Sequence, residues 1–261
     1  MSLPAFHRPP RRPYAWMWAL ALSQLVVAAI WWRYGWRVGL PCMLASHLPF
    51  VWGALWPRSR LYGPVLARLP LRGDDRRVWL TIDDGPSAET RALLDLLDAH
   101  GAKATFFLVG ERAAQRPDDV REIARRGHGI GNHSASHPQA WFWALGPRRM
   151  ADEIERTQAT LRAITGAAPH WFRAVVGMAN PFVSAPLKRL GLARVAWSAR
   201  GFDGVGAAPA RVVERIAQAL APGAIVLLHE GGAATRSVET LGLLLECMRA
   251  DSWRTVLPEE L

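Results

Sequence analysis

The chain has 261 residues, half of them hydrophobic, and a formal net charge of +10, which suits one full-sized core plus an appendage and argues against two large catalytic domains. Residues 1–77 hold eleven arginines against Asp74 and Asp75, a net of +9, so the other 184 residues carry only +1. A nucleic-acid binder would show its basic stripe on the folded domain together with a reading element, and neither is present. The charge instead brackets apolar segments, as at a membrane surface. Cys42 and Cys247 match no metal or redox spacing and imply no disulfide framework.

From the N-terminus, residues 14–32 are uncharged, with tryptophans near both ends and Arg8, Arg11 and Arg12 just before them. This reads as a transmembrane helix with aromatic anchors. After a short link from 33 to 37 comes a second uncharged stretch, 38–56, which contains Pro41, His47 and Pro49. Roughly 20 residues cross a bilayer core, so both segments qualify by length and predict a helical hairpin. Three basic residues precede the pair, two lie between (Arg33 and Arg37), and six follow from Arg58 to Arg77. The positive-inside tendency then places both ends, and the domain, in the cytoplasm. The competing reading is a single anchor or secretory signal with the domain outside, although no small-residue cleavage site follows the apolar run. The expected organisation is an anchor over 1–60, a basic juxtamembrane linker over 61–77 and a folded domain over 78–261.

Past Arg77 strands and amphipathic helices alternate, the pattern of an α/β domain. Strands are predicted at 78–82, 104–109, 194–198 and 224–228. Helices are predicted through Leu93 to Leu97, through Val120 to Ala124, over 150–164, over 210–220 and over 238–249.

Three segments carry candidate chemistry. The run Thr81, Ile82, Asp83, Asp84, Gly85, Pro86 ends an apolar strand in two carboxylates. Neighbouring side chains in a strand point to opposite faces, so both acids reach one pocket only if the backbone bends, a bend that Gly85 and Pro86 would supply. Taken alone, the run also suits a solvated acidic turn. His133 and His137 lie four apart, one helical turn, which would put two imidazoles on one side of an ion. An isolated pair of this spacing is common at helix ends, but beside a strand-terminal Asp pair it gains weight. Two histidines and one carboxylate leave open positions on a metal, a catalytic rather than a structural arrangement. The set also suits iron oxygenases, yet the extra acid and base point to hydrolysis. The wholly apolar run 225–228 ends in His229, and side chains at the carboxyl ends of barrel strands line active sites.

With these residues in view, the chain resembles the polysaccharide deacetylase family, carbohydrate esterase family four, which shares the NodB homology domain. The resemblance covers about residues 76–250 and rests on the order and spacing of the Asp83–Asp84 run, the His133–His137 pair and the strand ending at His229. It implies a distorted (β/α) barrel behind one or two transmembrane helices. It further implies that Asp83 is the general base, that Asp84, His133 and His137 bind a divalent metal, commonly zinc with cobalt or nickel as alternatives, and that His229 is the general acid. The family's third motif corresponds to Arg173, Ala174, Val175, Val176, Gly177, without its prolines and aromatic ring. Arg173 would partner Asp83, and the Val176 backbone N–H would face the oxyanion. The fourth motif is replaced by the segment 197–203, where Asp203 is the candidate for orienting His229. Trp141 and Trp143, close behind the metal histidines, are candidates for stacking on a sugar or entering the membrane interface, with core packing the plain alternative.

The implied reaction is removal of an N-acetyl group from an amino sugar in a glycan or lipid-linked saccharide. The alternatives are another amide or an O-acetyl ester, or a catalytically impaired membrane scaffold that binds glycan. The expected partners are a carbohydrate substrate and a membrane, with no nucleic acid. The expected site is a bacterial-type cytoplasmic membrane with the domain facing inward, and the periplasmic or extracellular face as the alternative.

Overall fold

The computed structural model describes residues 3–232 and 236–261; residues 1–2 of the expected anchor and 233–235 of the expected folded domain lie outside the described residues. The chain opens with two helices of equal length, α1 (Ala15–Tyr34) and α2 (Trp36–Leu55). The five-residue link expected between them is reduced to Gly35, whose φ of 77° turns the chain through a region costly for any residue with a Cβ. The helices pack closely: a Cβ at Gly39 would fall 2.6 Å from the Trp31 ring, and the Gln24 amide donates to Ser46 Oγ at 3.0 Å. Trp18, Leu22, Leu25, Trp32, Leu48 and Trp52 point outward and are exposed. Both helices are long and apolar enough to cross a membrane.

The rest is a curled parallel sheet wrapped by helices. Its central strand β1 (Arg77–Gly85) is buried along nearly its whole length, as expected of a parallel strand covered on both faces. It pairs with β2 (Ala104–Leu108) on one side and β7 (Ile225–His229) on the other. Beyond β2 come β3 (Gly129–Asn132), β4 (Trp171–Phe172) and β5 (Ala193–Arg194); beyond β7 comes β6 (Ala199–Arg200), and β8 (Arg254–Thr255) pairs with the start of β1. Helices α3 (Thr90–Ala99), α4 (Gly110–Gln115), α5 (Pro117–Arg125), α6 (Pro147–Thr165), α7 (Ser184–Leu190), α8 (Pro209–Ala219) and α9 (Ser237–Ala250) lie along the chain between or after the strands. Their apolar stripes, such as Leu93, Leu94 and Leu97 of α3 or Val212 and Ile216 of α8, form one core with β1, β2 and β7.

The expected barrel is therefore present as a curled half-barrel, with local departures. The strand expected over 194–198 does not form: only Arg194 lies in a strand, β5, and residues 195–198 are the link from β5 to β6, which sit at opposite edges of the sheet, so the two edges must curl toward each other. Residues 64–69, within the stretch expected as a linker, fill that gap. Leu66 N–H donates to Arg194 O at 2.9 Å and Leu66 O accepts from Ala196 at 2.8 Å, while Leu69 N–H donates to Gly223 O at 2.8 Å. Val65 and Leu69 are buried in the core around Trp79, Phe107 and Trp171. Two further segments return to the domain from the hairpin. Ala54 O accepts from Ala179 N–H at 2.9 Å at the end of α2, and at the N-terminal side Phe6 stacks on Trp171 with His7 edge-on to the same ring.

Candidate active site

The register of the sheet builds the site. Asp83 on β1 is paired in register with His229 on β7, so a carboxylate and an imidazole reach the same end of adjacent strands, the end at which parallel barrels place their chemistry. Asp84 would ordinarily point to the opposite face. Instead its φ is 72° and the β1–β2 register slips between Asp83 and Gly85. The bend expected from Gly85 and Pro86 thus lies on Asp84 itself, which turns both carboxylates into one cavity. The Arg112 guanidinium holds the Asp84 carbonyl in this conformation.

His133 and His137 meet Asp84 from a loop, not from the helical turn their spacing suggested. Past β3 the chain takes positive φ at Ser134 (67°) and His137 (52°). A buried carboxylate on α6 organises the loop: Glu153 accepts from Ala135 N–H at 2.9 Å, Ser136 N–H at 2.8 Å and Ser136 Oγ at 2.6 Å. His133 Nε2 then stands 3.4 Å and His137 Nε2 2.9 Å from Asp84 Oδ1, and one ligand atom from each of the three residues falls within 4.8 Å of the others.

Asp84 Oδ1 is buried and makes no hydrogen bond of proper geometry. His133 Nδ1 lies 2.9 Å from Arg173 O; an imidazole donating there is left, when neutral, with its Nε2 lone pair toward the carboxylate. Lone pairs converging on a buried oxygen repel one another unless a cation lies among them. The donor set, two imidazoles and a carboxylate, with the Arg173 carbonyl accepting from the far nitrogen of one ring, fits a divalent metal ion.

Asp83 belongs to a different set of contacts. Arg173 Nη1 donates to Asp83 Oδ1 at 2.6 Å and to Thr81 Oγ1 at 2.7 Å, Nη2 reaches Ala196 O at 3.2 Å, and the guanidinium lies 4.2 Å above the Phe107 ring. Arg173 is fully buried; desolvation pushes its pKa down against the opposing pull of Asp83. Across the cavity His229 Nδ1 stands 3.0 Å from Asp203 Oδ1, and its backbone N–H donates to Asp203 Oδ2 at 2.6 Å. Burial alone would lower the His229 pKa, but Asp203, helped by Asp83 and Asp84, raises it to about 9.

The expected residues that meet in this cavity of about 120 Å³ are Asp83, Asp84, His133, His137, Val176 and His229, joined by Gln139, Trp197, Arg200 and Phe202. Arg173 and Asp203 stand immediately behind Asp83 and His229. Trp141 and Trp143 are not among the lining residues. The chain coils tightly there, sending Phe142 into the core against Phe172 and leaving its neighbours exposed. Sequence reasoning missed Thr81, Glu153 and Arg200. Glu153 had a signal, a charge beside Ile154 on the buried stripe of α6.

Carboxylates and imidazoles gathered at the carboxyl ends of a curled parallel sheet, three of them able to hold a metal ion, are the arrangement of an α/β-barrel hydrolase. The family model described as polysaccharide deacetylase matches residues 71–195. Over 158 residues the chain is 37% identical to a chitooligosaccharide deacetylase of Bradyrhizobium sp. (strain ANU 289), covering 60% of this chain and 71% of that one. Over 184 residues it is 33% identical to a peptidoglycan-N-acetylglucosamine deacetylase of Bacillus cereus, covering 69% of this chain and 66% of that one. Among solved structures, the peptidoglycan N-acetylglucosamine deacetylase Bc1960, in complex with an N-oxidanyl-benzamide, superposes with a TM-score of 0.68 at 28% identity, covering 80% of this chain and 94% of that one. The chain belongs to the polysaccharide deacetylase family.

Replacing Glu153 by Ala strands the buried Ala135 N–H and the half-buried Ser136 N–H of the histidine loop, at a cost of about 1–3 kcal/mol for a buried group. Glu153→Ala is expected to melt several degrees lower and to bind zinc about 10–100-fold more weakly than the parent, measured by thermal denaturation and by competition with a chromogenic chelator. Unchanged zinc affinity would show that Glu153 does not set the loop.

Proposed function

We propose that this protein is a metal-dependent hydrolase that removes an N-acetyl group from an amino sugar in a glycan or lipid-linked saccharide. The observation that carries the proposal is the in-register pairing of Asp83 with His229 across β1 and β7, beside three converging ligand atoms. The relatives named as chitooligosaccharide and peptidoglycan deacetylases support the bond and the substrate class.

Asp84, His133 and His137 would hold the cation, zinc first and cobalt or nickel as alternatives. When bound, such an ion supplies Lewis acidity, making a water easier to deprotonate and polarising an amide carbonyl. Asp83 accepts the proton of the attacking water through Oδ2, since Oδ1 is committed to Arg173. Arg173 positions that carboxylate. The Val176 backbone N–H faces the oxyanion as the carbonyl carbon becomes tetrahedral; its residue lines the cavity with a φ of 53°. His229, held by Asp203 on Nδ1, presents the opposite edge of its ring to the cavity and protonates the departing amine nitrogen. Each proton is accounted for: one leaves water for Asp83, and one passes from His229 to the amine.

The membrane part of the proposal is a two-span anchor with both ends on the side of the catalytic domain. Three facts support it: the two apolar helices, the packing of Phe6 and His7 on Trp171, and the return of the chain to the barrel after α2. With six arginines from Arg58 to Arg77 after the pair, that side is the cytoplasm of a bacterial inner membrane.

Acetate release from N-acetylated chitooligosaccharide tests the chemistry. Asp83→Asn is expected to keep the fold and lose about 10²–10⁴-fold in kcat, and chelation should abolish activity until zinc is restored; full turnover by Asp83→Asn would end the proposal. The raised His229 pKa sets the alkaline limit: the acid form is present below about 9 and is lost as pH rises through that value. Asp203→Asn removes the main raising influence, so the alkaline limb of kcat/KM should move to lower pH, whereas an unmoved limb would assign the acid elsewhere. For topology, an alkaline phosphatase fused after Leu261 is expected to be inactive and a green fluorescent protein bright; the reverse pattern places the domain outside.

A further inference from the structure

Four arginines from three separate segments line one cavity of about 270 Å³: Arg8 before α1, Arg60 and Arg68 after α2, and Arg194 at the end of β5. Among the described residues, no acidic side chain lines it. Arg194 forms its inner wall and is buried. Two of its contacts are known, both from Nη2 to the Ser59 and Gly63 carbonyls, while Nε is buried without a hydrogen-bond partner. A guanidinium withdrawn from water without a counter-charge is costly, and desolvation lowers the Arg194 pKa to about 10 with no carboxylate opposing it. Arg8, Arg60 and Arg68 are exposed around the rim. Arg68 gives one N–H to Pro222 O; Arg8 and Arg60 form no ion pair among the described residues. Arg8 and Arg60 also line a second cavity with Arg11, Arg12 and Trp16, which runs to the base of α1.

Arginine is the side chain best matched to phosphate oxygens, because its fork donates in a fixed plane and stays charged. The packing of chain around Arg194 makes a built anion pocket rather than a scatter of surface charge. Its position beside the base of an apolar hairpin sets the source of the anion. We propose that the cavity lined by Arg8, Arg60, Arg68 and Arg194 is a binding site for the phosphate headgroup of an anionic membrane lipid, separate from the catalytic cavity. The lipid phosphate sits against Arg194, the rim arginines close over its remaining oxygens, and the acyl chains leave past Trp16 along α1. Bound lipid joins the segment before the hairpin to the segment after it, and both to the β5 edge of the barrel. This site does not depend on which bond the active site cleaves.

The test uses the full chain in neutral detergent micelles and native mass spectrometry. Phosphatidic acid, phosphatidylcholine and inorganic phosphate are added in separate arms, and thermal denaturation is followed in parallel. One saturable phosphatidic acid per chain and a raised melting temperature are expected, with neither effect from phosphatidylcholine. Arg194→Gln removes the inner wall and risks the fold. The decisive variant therefore carries Arg60→Gln with Arg68→Gln, which should melt like the parent without lipid and bind phosphatidic acid at least tenfold more weakly. A charge-matched control with Arg148→Gln and Arg162→Gln, both exposed elsewhere on the domain, should bind like the parent. Equal weakening in the control would reduce the effect to net charge and overturn the site. Equal protection by inorganic phosphate would overturn its assignment to a lipid.

Discussion

The arrangement depends on one guanidinium placed where no water reaches. Arg173 is wholly buried, and a buried charge is tolerated only when its partners are fixed in place. Its partners are the strand-end carboxylate Asp83, the Thr81 hydroxyl two residues earlier on β1, and the Ala196 carbonyl on the crossover between the sheet edges. One side chain thus ties the central strand to the segment that curls the barrel. The same residue's carbonyl faces His133 Nδ1, so Arg173 orients the carboxylate with its side chain and an imidazole with its backbone. Removing one member of such a set strands the other in a low-dielectric interior, typically at a cost of about 3–5 kcal/mol. The fold and the site therefore rest on the same contacts.

The two sides of the cleft are built on opposite electrostatic logic. On the Asp83 side the positive partner lies behind the carboxylate, leaving Oδ2 free toward the cavity, 3.7 Å from His133 Nε2. On the His229 side the negative partner lies behind the imidazole, and Asp203 keeps the ring charged despite its burial. An acceptor and a donor face each other across a small space, each set by a residue that need not touch substrate. The register of β1 with β7 fixes their separation, because slipping either strand by one residue would send its side chain to the other face.

The strand-end residues were legible because three segments, each with a plain alternative of its own, place acids and imidazoles where a parallel arrangement brings strand ends together. His133 and His137 were legible as a pair, but their spacing suggested a helix. The loop that serves instead depends on Glu153, a residue on another element whose partners are backbone N–H groups, and sequence spacing cannot show such a bond. The same holds at the gap in the barrel. Residues 64–69 read as part of a basic linker because Arg68, Arg72, Arg76 and Arg77 mark the stretch 61–77, while Val65, Leu66 and Leu69 carry the packing. Trp141 and Trp143 attracted attention as large rings near the histidines, yet a tight turn chooses the middle ring, Phe142, for the core. The crossover at 195–198 was hidden because Val195, Ala196 and Trp197 are as apolar as a strand.

The hairpin is joined to the catalytic wall and is more than a tether. The loop expected to supply the oxyanion donor runs through Gly177, where φ is 74° and a Cβ would fall 2.7 Å from Pro57 and 2.6 Å from the Trp197 ring. Pro57 directly follows α2, and Arg58 donates to the Trp197 carbonyl at 3.0 Å. Ala54 holds Ala179, and Tyr62 reaches back to the Phe50 carbonyl at 2.8 Å. Cutting the chain at residue 70 would remove the residues against which the Val176 loop packs, together with the strip that closes the barrel edge. Pro57 and Arg58 thus pack against two residues that line the cavity, Gly177 and Trp197. The apolar hairpin thereby enters the geometry of the active site through packing, without contributing a group to the cavity.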